Sequence, residues 1–599
     1  MRTGALERRH GRAWTPWSVG VGAGLAGAAL LGVAGFLVVG VRSGPMSWVE
    51  LLTSAVWDPS RGKYGATAMI WGTAVVAALA LALAAPLGWA AAIALHEVAP
   101  ARWRRALRTG CELLAVVPSI VYGLVGVAFV RPLVSDLAGV PGGDSLLAAG
   151  LVLAVMVLPT VVAVSVDALA GVPARTREAA AACGLTRTEV IRSAVVPEAR
   201  RGMGAAALLG LARALGETIA VYLVVGRADS LVPQSLGDAV TRAVRPGQTL
   251  TTKLNGPETV LAGTAGPHWA ALCALGLLLL AVVAAVTIAG SLRFRGHDPR
   301  KPGAMSSKRG QPVPRAAHRW RKGRDRLART WLVAILAVPL ALVAGIAAVA
   351  LTRGTAALDP SFWSTPALGA SGGGISGQVA GTLLLVVVAG VLTAPVGLAL
   401  GLLLSEYAGP GAARWLRTLT LTLGGVPSIL LGLWGYWLFS SRLGWGKSWL
   451  AGAIVLAVVA LPPVALAVAA TISALPGERR EAALAVGLRR DQLVRSVLVP
   501  HALPGLVTGL LLGLARAAGE TAPLLFTAAV FSGAQPLPQG IRNAEVTALP
   551  THIFTLAQDA ADPAALRTAW GAALALMAVA GLLVLVALPV RRRLEARAA

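Results

Sequence analysis

The chain has 599 residues, of which 56% are hydrophobic and only 13% are charged, so we exclude a soluble globular protein and expect a polytopic membrane protein. The formal net charge of +26 does not indicate nucleic-acid binding, because Lys and Arg gather in short segments between apolar stretches. The cysteines Cys111, Cys183 and Cys273 have no metal-ligand spacing, and we expect free thiols and no metal site.

The chain opens with a basic segment, residues 1–12, and an apolar stretch of about 25 residues follows it. This stretch has no evident small-residue cleavage site and is long enough to cross a bilayer. We therefore expect a first transmembrane helix rather than a signal peptide that is removed.

Apolar stretches of about twenty residues or more predict about twelve transmembrane helices, six in each half. In the first half they cover residues 17–41, 66–95, 113–134, 146–170, 203–225 and 269–292. In the second half they cover residues 331–351, 375–404, 416–439, 449–472, 506–531 and 570–590.

Basic residues follow each even-numbered predicted helix, as in residues 102–108 and 175–201 of the first half. The positive-inside rule places these loops and both termini on the cytoplasmic side. Residues 293–330 contain thirteen Lys or Arg together with several Pro and Gly, which is typical of a linker. Binding of this segment to acidic lipid head groups is the alternative. We thus expect two membrane halves, residues 1–292 and 331–599, joined by a basic cytoplasmic linker.

The two halves are internal repeats. Residues of the second and third helices recur 309 positions later, where Gly72, Pro86, Glu97 and Gly123 match Gly381, Pro395, Glu406 and Gly432. From Pro159 onward the spacing is 303 positions. Because each half holds six helices, both have the same orientation, which predicts a parallel repeat about an axis along the membrane normal.

The most distinctive repeat is residues 210–218, which return as residues 513–521 with eight of nine residues identical. Each copy places an Arg and a Glu at membrane depth, where charge is costly and usually marks a substrate pathway. The residues are Arg213, Glu217, Arg516 and Glu520. Spaced four apart, each Arg and Glu can share one helix face and neutralise one another, so an ion pair that only fixes packing is the alternative. Arginine suits bidentate recognition of phosphate or a similar oxyanion.

A proline-serine pair also repeats in the third helix of each half. The pairs are Pro118-Ser119 and Pro427-Ser428. We interpret them as bends in the helix rather than as phosphate ligands, because a proline frees backbone groups that a nearby serine can satisfy.

Between the fourth and fifth helices, each half carries Glu-Ala-Ala, three residues, Gly, and a Pro thirteen residues further on. The residues are Glu178, Ala179, Ala180 and Gly184 in the first copy, and Glu481, Ala482, Ala483 and Gly487 in the second. Good helix formers followed by glycine predict a short helix with a glycine cap. Duplication at identical spacing favours a docking element over an ordinary polar loop.

This spacing resembles the coupling motif of ABC-importer permeases, although Ala194 and Val497 stand where an Ile is usual. Residues 116–123 and 213–220 resemble the C-type permease of the Pst phosphate importer. Residues 425–429, 519–527 and 546–557 resemble its A-type partner. The chain is therefore similar to the two permeases fused into one.

The resemblance implies an all-α type I ABC importer fold of the MetI-like kind, in the bacterial cytoplasmic (inner) membrane. It implies phosphate movement past the four membrane Arg and Glu residues, and docking of a PstB-like ATPase dimer on the two Glu-Ala-Ala elements. It further implies a PstS-like extracytoplasmic phosphate-binding protein, which we expect to meet residues 227–266 and 532–567. ATP and Mg would be bound by the partner ATPase, and we expect no cofactor in this chain.

No phosphate-binding Gly-x-x-x-x-Gly-Lys-Ser/Thr loop occurs, so we do not expect this chain to hydrolyse ATP. Three alternatives remain: a permease for molybdate, sulfate or phosphonate, a secondary transporter, and a receptor that senses phosphate without moving it.

Overall fold

The computed structural model describes residues 17–114, 117–229, 232–295, 315–355, 359–368, 372–530, 538–559 and 562–598. These residues are almost entirely helical. The helices of the first half are α1 (Trp17–Val41), α2 (Trp48–Thr53), α3 (Thr67–Ile93), α4 (Ala101–Leu114), α5 (Ser119–Val125), α6 (Arg131–Ala138), α7 (Leu146–Ala170), α8 (Ala174–Ala182), α9 (Arg187–Val190), α10 (Val196–Gly216), α11 (Ile219–Tyr222), α12 (Leu236–Ala243), α13 (Leu250–Leu254), α14 (Glu258–Leu261) and α15 (Pro267–Arg295).

The second half repeats this order. Its helices are α16 (Arg315–Arg353), α17 (Pro360–Ser364), α18 (Ser376–Leu402), α19 (Pro410–Gly425), α20 (Ser428–Gly435), α21 (Trp449–Ser473), α22 (Gly477–Ala485), α23 (Arg490–Leu493), α24 (Val499–Ala518), α25 (Ala522–Thr527), α26 (Leu549–Gln558) and α27 (Pro563–Ala598). The described strands form two short antiparallel pairs. These are β1 (Trp57–Asp58) with β2 (Lys63–Tyr64), and β3 (Ala367–Leu368) with β4 (Gly372–Gly373). Part of the predicted linker 293–330 lies outside the described residues, and from Arg315 onward the chain is helical.

Nine helices within the described ranges are long and apolar enough to cross a membrane. The helices over residues 410–425 and 428–442 are long and apolar enough only when taken together, and they are bent by 89°, as in a broken span or a re-entrant loop. The other two predicted spans are α1, with an apolar stretch at Gly27–Val41, and α10. Helix α10 is less apolar because it carries Glu198, Arg200, Arg201 and Arg213. The all-α polytopic architecture predicted from the sequence is therefore confirmed.

Several predicted helices are not continuous. The prediction of one helix over 113–134 is wrong, because α4 ends at Leu114 and a new helix starts at Ser119. The prediction over 416–439 is wrong in the same way, since α19 and α20 meet at Pro427. Proline has no amide hydrogen and excludes the α conformation for the residue before it, so each helix breaks there.

The fifth predicted helix of each half is also broken. The prediction of one helix over 203–225 is wrong, because α10 ends at Gly216 and α11 is a separate short helix. The prediction over 506–531 is wrong because α24 ends at Ala518, before α25. In the first half the backbone of Glu217 is extended, with φ −75° and ψ 134°. An apolar stretch alone does not reveal such a break, because its composition is the same on both sides.

The halves pack in the same sequence of neighbours. In the first half α3 packs on α7, α7 on α10 and α10 on α15, and in the second half α18 packs on α21, α21 on α24 and α24 on α27. The first helix of each half crosses to the other: α1 contacts α18 and α19, and α16 contacts α3 and α4. The interface between the halves is therefore built partly from exchanged helices.

A repeated Gly-Thr pair packs the second helix of each half against the segment that leads into α13 in the first half and α26 in the second. A Cβ at Gly72 would lie 2.1 Å from the Gln248 carbonyl oxygen, and the Thr73 hydroxyl accepts a 3.0 Å hydrogen bond from the Leu250 amide. The second half repeats both contacts, with Gly381 against Thr547 and Thr382 accepting from Leu549. The Gly-Thr repeat thus marks a close backbone crossing that a larger side chain would block.

Candidate functional site

A cavity of about 320 Å³ lies between the two halves and is lined by all four predicted pathway residues, Arg213, Glu217, Arg516 and Glu520. The helix breaks described above line this cavity. Its other polar side chains are Ser119, Thr160, Thr287 and Ser428. The structure therefore brings together, from residues some three hundred positions apart, the two Arg-Glu motifs that the repeat singled out.

The first motif does not form the ion pair that the sequence analysis left as the alternative. Among the described residues, no carboxylate oxygen lies within the 4.0 Å ion-pair limit of the Arg213 guanidinium. Its Nη1 instead donates a long hydrogen bond of 3.5 Å to the Thr160 hydroxyl. The physical reason is the end of α10 at Gly216: the extended backbone of Glu217 takes its carboxylate off the helix face that carries Arg213. Glu217 accepts a 3.5 Å bond from the Ala220 amide.

The second motif keeps the pairing. Arg516 Nε lies 3.7 Å from Glu520 Oε1, with the Arg516 side chain 43% exposed and that of Glu520 15% exposed. Helix α24 ends at Ala518, but Gly519 keeps a right-handed helical backbone with φ −89° and ψ −5°, so the chain stays helical up to the residue before Glu520. The two nearly identical motifs thus differ in ion pairing: Arg516 is paired with Glu520, whereas Arg213 donates to the Thr160 hydroxyl in the same cavity.

The four other polar residues of this cavity, including Thr287, were not assigned to it by sequence reasoning. Ser119 and Ser428 begin α5 and α20, so the unpaired amide groups of two helix starts lie at the cavity wall. The bends predicted at the two Pro-Ser pairs are present, and the serines lie at the cavity as well. Thr160 has Pro463 as its counterpart in the second half. The Pro-Ser pair recurs 309 positions later, and this repeat could have indicated that the two serines line the cavity. The sequence contains no comparable repeat for Thr160.

The two predicted docking elements have the expected local form. In the first, α8 ends before Gly184, whose φ of +74° is in the left-handed region, and α9 follows. In the second, α22 ends before Gly487 with φ +87°. Glu178, Ala179, Glu481 and Ala482 are exposed, Ala483 is half-buried and Ala180 is buried. Each element therefore presents an exposed helix and glycine turn that a partner can contact.

An ion pair ties each docking element to the second helix of its own half. Arg177 of α8 lies 2.9 Å from Glu97, which follows α3, and Arg480 of α22 lies 3.2 Å from Glu406, which follows α18. Arg177 also donates to the Leu169 carbonyl near the end of α7, at 2.8 Å. Sequence reasoning missed this role, although both the Glu and the Arg recur at the repeat spacing.

The long loop between α11 and α15 of the first half contains a second cavity of about 270 Å³. Lys253, with a side chain only 2% exposed, lies 3.0 Å from Asp229 and 2.7 Å from Glu258. Burial by itself would raise the pKa of Glu258, but the hydrogen bond and charge of Lys253 outweigh it and leave that pKa below its usual value. This network orders the loop, whose predicted contact with a binding protein stays a prediction.

The described residues contain no group of three or more His, Cys, Asp and Glu side chains that could hold a metal ion. Cys111 and Cys273 are buried, and Cys183 is exposed beside Gly184 on the first docking element. Parts of the two loops that are predicted to meet a binding protein lie outside the described residues. These parts are residues 230–231, 531–537 and 560–561.

The chain combines helices that can cross a membrane with a polar cavity between two pseudo-equivalent halves. Each half also exposes a predicted docking element. These features together are those of a transport permease. Residues 84–295 and 397–599 each match the family described as binding-protein-dependent transport system inner membrane component. The chain belongs to this family, carries it twice, and is a multi-pass inner membrane permease of the ABC transporter class.

Individual relatives correspond to less than half of the chain. A probable ABC transporter permease protein, YqgH, from Bacillus subtilis is 41% identical over 220 residues, which are 36% of this chain and 69% of the relative. The phosphate transport system permease protein PstC of Haemophilus influenzae is 34% identical over 262 residues, 41% of this chain and 80% of the relative. A probable ABC transporter permease protein, YqgI, from B. subtilis is 33% identical over 210 residues, 35% of this chain and 71% of the relative. Such coverage is expected where one chain holds two permease units.

Proposed function

We propose that this chain forms the complete transmembrane pathway of an ATP-driven phosphate importer. The observation that carries the proposal is the single cavity lined by Arg213 and Arg516 from the two halves. The similarity to proteins named as phosphate transport permeases supports phosphate as the substrate. Because the membrane arginines come from both halves, one chain supplies what two separate permeases would otherwise provide.

The geometry of the cavity suits a partly protonated oxyanion. Within the described part of the chain no carboxylate pairs with the Arg213 guanidinium, which can donate two parallel hydrogen bonds to one anion. The hydroxyls of Ser119 and Ser428 and the helix starts next to them can donate further hydrogen bonds. The cavity therefore offers donors from both halves to a tetrahedral anion.

In this proposal Glu217 makes the cavity selective for phosphate over sulfate. Phosphate at neutral pH carries at least one P–OH group, which can donate a hydrogen bond to a carboxylate, whereas sulfate carries none. A carboxylate in the same cavity as Arg213 accepts the phosphate hydrogen and repels a fully ionised anion. The ionised form of Glu217 thus favours phosphate over sulfate without any difference in size.

The energy comes from partner subunits in this proposal. The family uses a binding protein and an ATP-binding subunit, and we propose that these are PstS-like and PstB-like, with ATP and Mg bound by the PstB-like dimer. One ATP-binding subunit docks on α8, Gly184 and α9, and the other on α22, Gly487 and α23. In this proposal both termini are cytoplasmic. Closure of the ATPase dimer moves the docking elements, and the side of the membrane from which Arg213 is accessible then changes.

Phosphate is expected to protect the cavity from a thiol reagent. We would replace Ser428 with Cys, add a small charged maleimide to the purified chain, and measure labelling of that residue by mass spectrometry. Phosphate should slow the labelling at concentrations where sulfate does not, because only phosphate satisfies both Arg213 and Glu217. In Ser428→Cys combined with Glu217→Gln, sulfate should protect as well, since the repelling charge is gone.

Cys183 is a control within the same sample, because it is exposed on the docking element and lies outside the cavity. Its labelling should not respond to either anion. Equal protection of Ser428→Cys by sulfate and phosphate in the chain with Glu217 intact would contradict the selectivity proposed for Glu217. Absence of protection by any oxyanion would contradict the cavity as the substrate site.

A further inference from the structure

The cytoplasmic end of α16 contacts the first docking element. Arg321 forms an ion pair with Glu189, to which its Nε donates a 2.9 Å hydrogen bond and its Nη2 a second bond. Asp325, one turn further along α16, accepts hydrogen bonds from the Thr188 amide at 2.9 Å and the Thr188 hydroxyl at 2.8 Å. The first docking element, which belongs to the first half, is thus held by a helix of the second half.

The contacts differ in their exposure to solvent. Asp325 is 8% exposed, whereas the side chains of Arg321 and Glu189 are 21% and 37% exposed. Asp325 is also paired with Arg329 at 2.9 Å, so its buried charge is compensated. Arg321 Nη2 additionally reaches the Gly184 carbonyl at 3.5 Å, which is the turn of the docking element itself. Pairs of this kind are more strongly coupled than fully exposed surface pairs.

A comparison of the two docking elements shows what the charge of Glu189 does. In the first element, Glu189 caps α9 by accepting a 2.8 Å bond from the Thr186 amide. In the second, Gln492 at the equivalent position forms the same cap, accepting a 2.9 Å bond from the Arg489 amide. Because an uncharged amide suffices for the cap, the negative charge of Glu189 serves the contact with Arg321.

The contact is stable over the physiological pH range. The hydrogen bond from Arg321 is the main cause that holds the pKa of Glu189 at about 2, well below the usual value for a glutamate. The carboxylate therefore stays ionised, and loss of the pair would require pH to fall toward that folded-state pKa.

We infer that Arg321 and Asp325 are positioning residues for the first ATPase-docking element, and that α16 couples this element to the second half. Helix α16 runs without interruption from Arg315 to Arg353 and packs on α3 and α4. A displacement of the first docking element is therefore shared with a helix of the second half. The inference rests on the proposed function, because it requires that an ATPase docks at α8, Gly184 and α9.

The test uses Cys183 as a reporter and Val486→Cys as its counterpart on the second docking element, where Val486 is exposed. Maleimide labelling of both thiols is followed in the full chain in lipid nanodiscs, with and without the purified ATP-binding subunit. The variant is Glu189→Gln, which keeps the cap in the form that Gln492 already shows. The matched control is Gln492→Glu, which adds a charge at a position where, among the described residues, no arginine of another helix contacts the side chain. Asp325→Asn is the second variant, in case Glu189→Gln does not fold.

We expect the ATP-binding subunit to protect both thiols in the chain with Glu189. In Glu189→Gln, protection of Cys183 should fall about threefold or more while protection of Val486→Cys stays unchanged. In proteoliposomes, Glu189→Gln should raise the amount of ATP hydrolysed per phosphate transported. Arg321→Lys retains a charge, so it should lose less protection of Cys183 than Arg321→Gln. Gln492→Glu should leave both thiols as in the parent chain.

The two hypotheses fail in different ways. If the ATP-binding subunit protects neither thiol in the parent chain, the proposed docking itself is wrong. If it protects both thiols, and Glu189→Gln and Asp325→Asn leave Cys183 protected and the ATP-to-phosphate ratio unchanged, the positioning role of α16 is wrong and the proposed function stands.

Discussion

Replacing Arg213 with Gln should lower ATP-driven phosphate uptake by about 10- to 100-fold, the loss expected when a charge-assisted hydrogen bond of about 1.5–3 kcal/mol to the substrate is removed. Arg213 is the arginine whose charge no neighbouring carboxylate cancels, as judged among the described residues. The glutamine retains hydrogen-bonding groups but supplies no charge for the anion. The measurement is initial uptake of radiolabelled phosphate in proteoliposomes that contain the ATP-binding subunit and the binding protein.

The matched control removes the charged pair of the other half as a unit. Arg516→Gln combined with Glu520→Gln deletes two opposite charges that lie 3.7 Å apart, so the net charge of the cavity does not change. This double variant should retain a clearly larger share of uptake than Arg213→Gln. Equal losses in the two variants, with equal recovery of the ATP-binding subunit on purification, would contradict the asymmetry between the halves.

Replacing either Glu97 or Arg177 alone should weaken the stimulation of ATP hydrolysis by the permease. The residue Glu97 is 9% exposed, and removing Arg177 leaves this buried carboxylate with only His96 Nδ1, at 3.0 Å, as a side-chain partner, at a cost of about 3 kcal/mol. The first docking element would then lose its tie to the end of α3. We expect stimulation of the ATP-binding subunit by the permease to fall severalfold in Glu97→Gln and in Arg177→Gln.

A double-mutant cycle separates this ion pair from general destabilisation. Glu97→Gln with Arg177→Gln removes both charges, so its loss should be smaller than the sum of the two single losses. Glu406→Gln tests the equivalent pair with Arg480, whose atoms lie 3.2 Å apart, and should have a similar effect through the second docking element. Strict additivity in the first cycle would show that the residues do not act as a pair.

The parts of this structure that local signals specify could be predicted from the sequence. The docking elements are an example, because short runs of helix formers followed by Gly184 and Gly487 define a helix and a left-handed turn within a few residues. The repeat spacing likewise placed Arg213 and Arg516 together, since a parallel repeat brings equivalent positions to one axis.

Features that depend on where a helix ends, or on contacts between distant elements, could not be predicted. Hydrophobic composition continues through Gly216, so the sequence did not show that Arg213 and Glu217 lie on different backbone segments. The contact of Arg321 with Glu189 joins elements 132 positions apart and follows from the exchange of first helices between the halves. No local pattern in α16 indicates that exchange.

The central claim is that this one chain is the whole membrane pathway for phosphate. It is tested most directly by radiolabelled phosphate uptake into proteoliposomes in which this chain is the only permease, with the ATP-binding subunit and the phosphate-binding protein added. We predict saturable uptake that requires ATP and the binding protein and needs no second permease chain. Uptake driven by a proton gradient without the ATP-binding subunit, or uptake that appears only when another permease is added, would contradict the claim.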